Sequence, residues 1–218
     1  ADILIVGAGF AGTSTAFHLS QNLSESILVI EKEKIPGVHA SGRNASLVLQ
    51  SIAHPHIRKA MAESRNAYEK HADSIGFEQH GSLLIGPKTL LEETRQPKLI
   101  PSEYQDPREV IHQIPILKGH HFETALWTPS DGVMDISSLL QFYIQGALDR
   151  NVRFQFDCQL LDIVGTGPYQ IKTSQGTIVV GDIINAAGAW ISEVAQIADG
   201  TALTLSALKR HLFILDNI

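Results

Sequence analysis

Over the first thirty or so residues of the chain, two uninterrupted apolar runs flank a segment whose apolar residues have the spacing of a helix. Residues 2–7 contain a β-branched run that predicts a buried strand, and residues 10–22 place apolar side chains at a spacing typical of a helix. Residues 26–31 predict a second strand. The order strand, helix, strand is typical of a βαβ unit, whose two strands lie parallel in one sheet.

The rest of the chain predicts a helical middle followed by a series of strands. Prolines interrupt the periodicity over 87–121, so we expect short helices and loops there. A short helix is also expected after the loop at 41–45. The other predicted helices are about 56–75, about 135–150 and 189–198, and the other predicted strands are 82–85, 125–127, 152–156, 159–164, 169–173, 177–185 and 208–215.

A glycine motif, GAGFAG, stands between the first strand and the first helix. Gly7 permits a tight turn, Gly9 lets the backbone approach a pyrophosphate, and Gly12 lets the helix pack on the sheet. The helix N-terminus offers N–H groups to phosphates. Glu31, about twenty residues further on, can accept hydrogen bonds from both ribose hydroxyls of an adenosine. This combination predicts a dinucleotide site; the alternative is a glycine-rich turn with a surface glutamate.

Composition narrows the class of protein. The chain has 17 Lys and Arg against 23 Asp and Glu, a net charge of −6, and this argues against nucleic acid as the main partner. The single cysteine, Cys158, excludes an internal disulfide or a CxxC pair, and we expect it to be a core residue. No apolar run reaches the ~18–20 residues of a membrane-spanning helix, and no signal peptide is visible. We therefore expect a cytoplasmic protein without a membrane span.

The histidine pairs of the sequence do not predict a metal site. His54 and His56 form one close pair, and His120 and His121 form another. Neither pair has carboxylate or cysteine partners at the spacing of metal ligands. We therefore predict no metal.

Two further runs of small residues extend the nucleotide motif. The run VHASGRNAS, residues 38–46, allows close backbone approach to a flat ring system, with donors from Arg43 and Asn44. The run NAAGAW, residues 185–190, ends a predicted strand in another such turn. With these runs and the N-terminal motif, the sequence resembles the D-amino acid oxidase-like (DAO) family of FAD-dependent oxidoreductases. Within that family it is most similar to the bacterial D-arginine and D-amino acid dehydrogenases.

The resemblance implies an α/β fold in which a Rossmann-like FAD-binding domain is interleaved with an α+β substrate domain. Residues 1–80 and 131–200 would belong to the FAD-binding domain. Residues 81–130 would form the first segment of the substrate domain, and residues 201–218 would begin a further segment of it. The substrate domain would be incomplete, so the chain is expected to be an N-terminal fragment.

The resemblance also implies cofactor-binding roles. The glycine motif would hold the FAD pyrophosphate, and Glu31 would bind the adenosine ribose with Lys32 beside it. The 41–45 run would lie along the pyrophosphate, ribityl and flavin region, and Leu160 would lie on a strand whose backbone grips the adenine. The implied cofactor-binding residues are Gly7, Ala8, Gly9, Phe10, Ala11, Gly12, Glu31, Lys32, Ser41, Gly42, Arg43, Asn44, Ala45, Leu160, Ala187, Gly188 and Trp190.

Two residues are candidates for a catalytic role. Arg210 aligns near a family arginine on the substrate side, and a guanidinium can hold a carboxylate through two parallel hydrogen bonds. The alternative is a solvated Lys-Arg pair at a strand edge. His39 has three open roles: a covalent tether to the flavin, a noncovalent neighbour of the flavin, or a plain loop histidine. Its run departs from the tethering pattern of relatives at Ser41, Arg43 and Asn44.

The activity that the resemblance implies is oxidation of the C–N bond of a D-amino acid or related amine by hydride transfer to FAD. The partners would be a small amine or amino acid and an electron acceptor, either oxygen or a quinone. Three alternatives stay open. They are a 2-hydroxy acid oxidase or dehydrogenase of the same family, the flavin domain of a tRNA-modification enzyme, and an inactive FAD-binding fragment.

Overall fold

A computed structural model of the chain describes residues 1–52, 54–95, 100–198, 200, 204–208 and 211. The chain divides into two compact units, which we call unit 1 (residues 1–45 with 136–218) and unit 2 (residues 46–135). The domain prediction placed its boundaries at residues 80, 130 and 200 instead. The assignment of domains stays a prediction.

Thirteen strands and seven α-helices are found in the described part of the chain. The strands are β1 (Ile3–Val6), β2 (Ile27–Ile30), β3 (Leu47–Val48), β4 (Phe77–Gln79), β5 (Ser82–Gly86), β6 (Glu103–Gln105), β7 (Thr124–Thr128), β8 (Gly132–Met134), β9 (Arg153–Gln155), β10 (Leu160–Val164), β11 (Tyr169–Thr173), β12 (Gly176–Val180) and β13 (Asp182–Asn185). The helices are α1 (Phe10–Leu19), α2 (Pro55–Lys70), α3 (Ala72–Ile75), α4 (Lys88–Thr94), α5 (Pro107–Gln113), α6 (Ile136–Leu148) and α7 (Ile191–Ile197).

Unit 1 is built on a parallel sheet in the order β13-β1-β2-β9. All residues of β1 and β2 are buried, which explains their uninterrupted apolar runs. The predicted βαβ unit is confirmed as β1-α1-β2. Because β1 pairs in parallel with both β13 and β2, these three strands end at the same edge of the sheet, and the loops that follow them lie together there.

A second sheet of unit 1, β10-β11-β12, is antiparallel and shares its core with the parallel sheet. The prediction of one strand over 177–185 was wrong, because this segment contains both β12 and β13. Gly181 separates the two strands, and the N–H groups of Gly181 and Asp182 both donate to the carbonyl of Asp2 at 2.9 Å. These bonds direct the chain from the antiparallel sheet to the edge of β1.

Unit 2 combines two three-stranded sheets, β3-β8-β4 and β5-β7-β6, with helices α2 to α5. The predicted helix over 56–75 is two helices, because His71 leaves the helical conformation between them. Strands β4, β6 and β8 were not predicted. The prediction of a short helix after residues 41–45 was wrong, since a 3-10 turn (Ala40–Gly42) and strand β3 occupy this region. Most of the strand predicted over 208–215 lies outside the described residues.

A buried carboxyl group, Asp131, joins three segments of unit 2. It is fully buried and accepts hydrogen bonds from the backbone N–H of Gln50 at 2.9 Å and the hydroxyl of Ser82 at 2.5 Å. Burial raises the pKa of Asp131 above its ordinary value of 3.8, and the bonds from Ser82 and Gln50 and the charge of Arg65 offset only part of this rise. The folded chain therefore keeps this proton to a higher pH than the unfolded chain.

We predict that Asp131 makes the free energy of unfolding fall as the pH rises. Its contribution is complete below pH 3.8, and it is lost as the pH rises through the raised pKa. The slope is at most about 1.4 kcal/mol per pH unit. Denaturant unfolding from pH 4 to 7 should show this decline in the wild type and a flatter profile in Asp131→Asn. The exposed Asp73→Asn is the matched control, and an identical profile for both variants would contradict the prediction.

Candidate functional site

A cavity of about 310 Å³ lies within unit 1, where β1, β2 and β13 end. Its wall combines the turn after each of these strands with the segment before β10 and one face of α7. The structure brings ten of the predicted site residues to this wall: Gly7, Gly9, Glu31, Lys32, His39, Ser41, Leu160, Ala187, Gly188 and Trp190.

The glycine turn leaves no room for side chains at two positions. Gly7 has a φ of +108°, and a Cβ placed there would lie 2.5 Å from the carbonyl oxygen of Ala186. A Cβ on Gly12 would overlap the carbonyl oxygen of Gly7. Glycine at these positions therefore allows β1, β13 and α1 to meet closely. This close approach places the first turn of α1 beside the cavity.

The N-terminus of α1 keeps hydrogen-bond donors for a ligand. The N–H of Phe10 donates to the Ser41 hydroxyl at 2.9 Å. Within the described part of the chain, the N–H groups of Gly9, Ala11 and Gly12 have no acceptor, as the first turn of a helix leaves them. These donors and the positive end of the helix dipole suit a pyrophosphate. The donor set therefore fits the phosphate groups of FAD.

Glu31 is fixed at the opposite side of the turn. Its Oε2 accepts a hydrogen bond from the N–H of Ala8 at 2.7 Å, and its Oε1 accepts one from the N–H of Glu33 at 3.0 Å. Its own carbonyl accepts a bond from the N–H of Cys158 at 2.8 Å. A carboxylate has about four lone-pair sites, so each oxygen can still accept a ribose hydroxyl. The carboxylate is thus held ready to bind the sugar of a dinucleotide.

The NAAGAW turn forms another wall. The Asn185 side chain holds it, because Oδ1 accepts from the N–H of Ala187 at 3.2 Å and Nδ2 donates to the carbonyl of Ile191 at 2.8 Å. Trp190, at the end of this turn, packs against His39 with ring centroids 4.6 Å apart. His39 Nε2 lies 2.8 Å from Glu33 Oε1. His39 therefore lies at the cavity wall, and its role toward the flavin stays a prediction.

The remaining predicted site residues do not line the cavity. The structure places Ala8, Phe10, Ala11 and Gly12 in the turn and helix behind the wall, and Gly42, Arg43, Asn44 and Ala45 are exposed beyond Ser41. Asn44 Nδ2 donates to the Ser41 carbonyl at 2.8 Å. Arg210 lies outside the described residues, so its predicted catalytic role stays a prediction.

Sequence reasoning missed several wall residues. Cys158 was expected to be a core residue; it is buried in the core and also lines the cavity. Glu193, Val194 and Ile197 line it from α7. A signal for them was present, because with Trp190 they follow the spacing of a single helix face.

The described residues lack two features, a membrane-spanning helix and a cluster of metal ligands. None of their helices is long and apolar enough to cross a membrane. They contain no group of three or more His, Cys, Asp or Glu that could hold a metal ion.

Comparisons with known proteins agree with this geometry. A family model described as "DAO: FAD dependent oxidoreductase" matches residues 2–218. The chain is 26% identical to mitochondrial dimethylglycine dehydrogenase of Rattus norvegicus, over 100% of this chain and 29% of that protein. It is 24% identical to mitochondrial sarcosine dehydrogenase of Mus musculus, over 100% of this chain and 26% of that protein.

Among solved structures, the L-proline dehydrogenase from P. horikoshii has a similar fold, with a TM-score of 0.81 and 22% identity over 91% of this chain and 56% of that chain. The chain thus spans less than a third of the two curated relatives and just over half of this structure. The mixed α/β fold is that of FAD-dependent oxidoreductases.

Proposed function

The chain belongs to the DAO family of FAD-dependent oxidoreductases, and from this premise we propose that it supplies the FAD site of an enzyme that oxidises the C–N bond of an amino acid or related amine. Because the chain spans only part of its relatives, the activity proposed is that of the whole protein. The observation that carries the proposal is the cavity of unit 1, whose wall includes both Glu31 and Gly9, the residue that precedes the first turn of α1.

Different residues of this chain would bind different parts of FAD. The backbone around Gly7 and Gly9 would hold the pyrophosphate, and Glu31 would hold the adenosine ribose. The buried Leu160 would contact the adenine. Bound FAD would supply the chemistry by accepting a hydride from the carbon next to the amine nitrogen. The described residues would bind the cofactor and fix its orientation.

We propose an N-methylated glycine as the first substrate class. The two curated relatives compared above are named for dimethylglycine and sarcosine, which are tertiary and secondary amines of glycine. A D-amino acid is the second candidate, because the runs at 38–46 and 185–190 resemble those of D-arginine dehydrogenases. Both classes carry a carboxylate on the α-carbon that is bonded to the amine nitrogen, so one arginine-based anchor, such as the predicted Arg210, would serve either.

Anaerobic mixing of the FAD-loaded, full-length protein with candidate substrates tests the proposal. We predict that sarcosine, dimethylglycine or a D-amino acid bleaches the flavin absorption band within one turnover, whereas a 2-hydroxy acid such as lactate does not. Re-oxidation of the bleached protein by oxygen or by a quinone then identifies the electron acceptor. Bleaching by a hydroxy acid alone, or by none of these compounds, would overturn the proposal.

A further inference from the structure

Three consecutive residues at the end of β2 each fix a different wall of the cavity. Glu31 holds the glycine turn through the N–H of Ala8, at 2.7 Å. Glu33 holds the 3-10 turn after residue 39 through His39, at 2.8 Å. Lys32, between them, reaches the NAAGAW turn. The tripeptide 31–33 therefore contacts three segments of the cavity wall: the glycine turn, the loop at His39 and the NAAGAW turn.

Lys32 makes its contact through the face of an aromatic ring. Its Nζ lies 3.3 Å from the centroid of the Trp190 ring, and both residues are half-buried. A cation over an indole face is attracted by the negative face of the ring, and tryptophan is the strongest partner for this contact. Among the described residues that line the cavity, Lys32 is the only Lys or Arg. The single cation of the wall is thus directed at a neighbouring wall residue.

We propose that Lys32 is a positioning residue that holds Trp190, and with it the NAAGAW turn, in the geometry that binds the adenosine half of FAD. This inference rests on the proposed function. Lys32 acts here through Trp190 and not as a ligand of the cofactor. A simpler alternative is that Lys32 is a point charge that attracts the pyrophosphate, and the two roles predict different results in combination with a change at Trp190.

Substitutions at Lys32 test the inference through the Kd for FAD, measured by titration of the purified protein. Lys32→Met keeps the aliphatic stem and removes the cation, so we expect affinity for FAD to fall about fivefold. Lys32→Arg should rescue the affinity, because a guanidinium also stacks on an indole face. Lys34→Met is the matched control: Lys34 is exposed two residues away, and the net charge changes equally.

A double-mutant cycle separates the two roles of Lys32. If Lys32 acts through Trp190, Lys32→Met should cause little further loss of affinity in a Trp190→Leu background. An equal loss in both backgrounds would assign Lys32 to the phosphates and overturn the inference. Thermal unfolding of each variant confirms that the compared proteins are folded.

Fluorine NMR of protein labelled with 5-fluorotryptophan reports the contact directly, without FAD. The resonance missing in Trp190→Leu identifies Trp190, and Lys32→Met should shift it while the Trp127 resonance stays in place. An unshifted Trp190 resonance, or unchanged FAD affinity in Lys32→Met, would overturn the inference and leave the proposed function intact. Failure of the wild-type protein to bind FAD would overturn the proposed function, and the inference with it.

Discussion

Replacing Gly12 with alanine is expected to abolish FAD binding and to lower the free energy of unfolding by about 3 kcal/mol. The added Cβ overlaps the carbonyl oxygen of Gly7 and lies 3.4 Å from Cγ2 of Ile5. Ile5 is a buried residue of β1, and Gly7 is the first residue of the turn that follows it. Neither group can move aside as the tip of a flexible side chain would. Helix α1 must therefore shift away from the sheet.

A shift of α1 would move the donors of its first turn together. The free N–H groups of Gly9, Ala11 and Gly12 are fixed by the position of the helix and not by side chains, so no rotamer change can restore them. This is why the same small displacement affects both stability and cofactor binding. A loss of stability without a loss of binding would show that these donors do not hold the phosphates.

Denaturant unfolding and FAD titration of Gly12→Ala measure the two effects. Gly86→Ala is the matched control, because Gly86 has no left-handed backbone conformation and a Cβ there meets no atom within 4 Å. We expect the control to keep FAD affinity and to change stability by less than about 0.5 kcal/mol. Wild-type affinity together with wild-type stability in Gly12→Ala would contradict the close packing of α1 on β1.

The elements that could be predicted from sequence are those whose signals are local. Strands β1 and β2 and helix α1 follow from uninterrupted apolar runs, a helical spacing and a glycine turn within thirty or so residues. Strand β3 spans 2 residues and strands β4, β6 and β8 span 3 residues each. A period of two residues cannot be recognised over such lengths, so these strands depend on pairing with distant partners.

In the candidate site, too, the residues that could be predicted are those with a local sequence signal. Gly7, Gly9 and Glu31 belong to a motif with a fixed spacing, and the structure places all three at the cavity. The local spacing places Glu193 and Ile197 on one face of α7, but whether that face meets the cavity depends on where α7 packs after β13 has paired with β1. Arg43 and Asn44, which were predicted as donors within a run of small residues and not from a motif of fixed spacing, are exposed beyond the cavity wall.

Substitution of Glu31 is expected to weaken FAD binding by more than about 100-fold, because two hydrogen bonds from ribose hydroxyls to a charged group contribute roughly 1.5–3 kcal/mol each. Glu31→Ala also leaves the N–H of the fully buried Ala8 without its acceptor, at a cost of about 1–3 kcal/mol. Glu31→Gln keeps the shape, but its NH₂ group would face an N–H donor of Ala8 or Glu33. Both variants should therefore lose affinity and stability together, with Gln less affected.

The role of Glu31 toward the ribose can be isolated with a smaller ligand. Wild-type protein should bind ADP more tightly than 2′,3′-dideoxy-ADP, whereas Glu31→Ala should bind the two equally, because the partner of the hydroxyls is gone. Calorimetric titration measures both affinities, and the exposed Glu25→Gln in the same unit provides the charge-matched control. If Glu31→Ala still distinguishes the two ligands as the wild type does, another group binds the ribose, and Glu31 serves only to hold the glycine turn through Ala8.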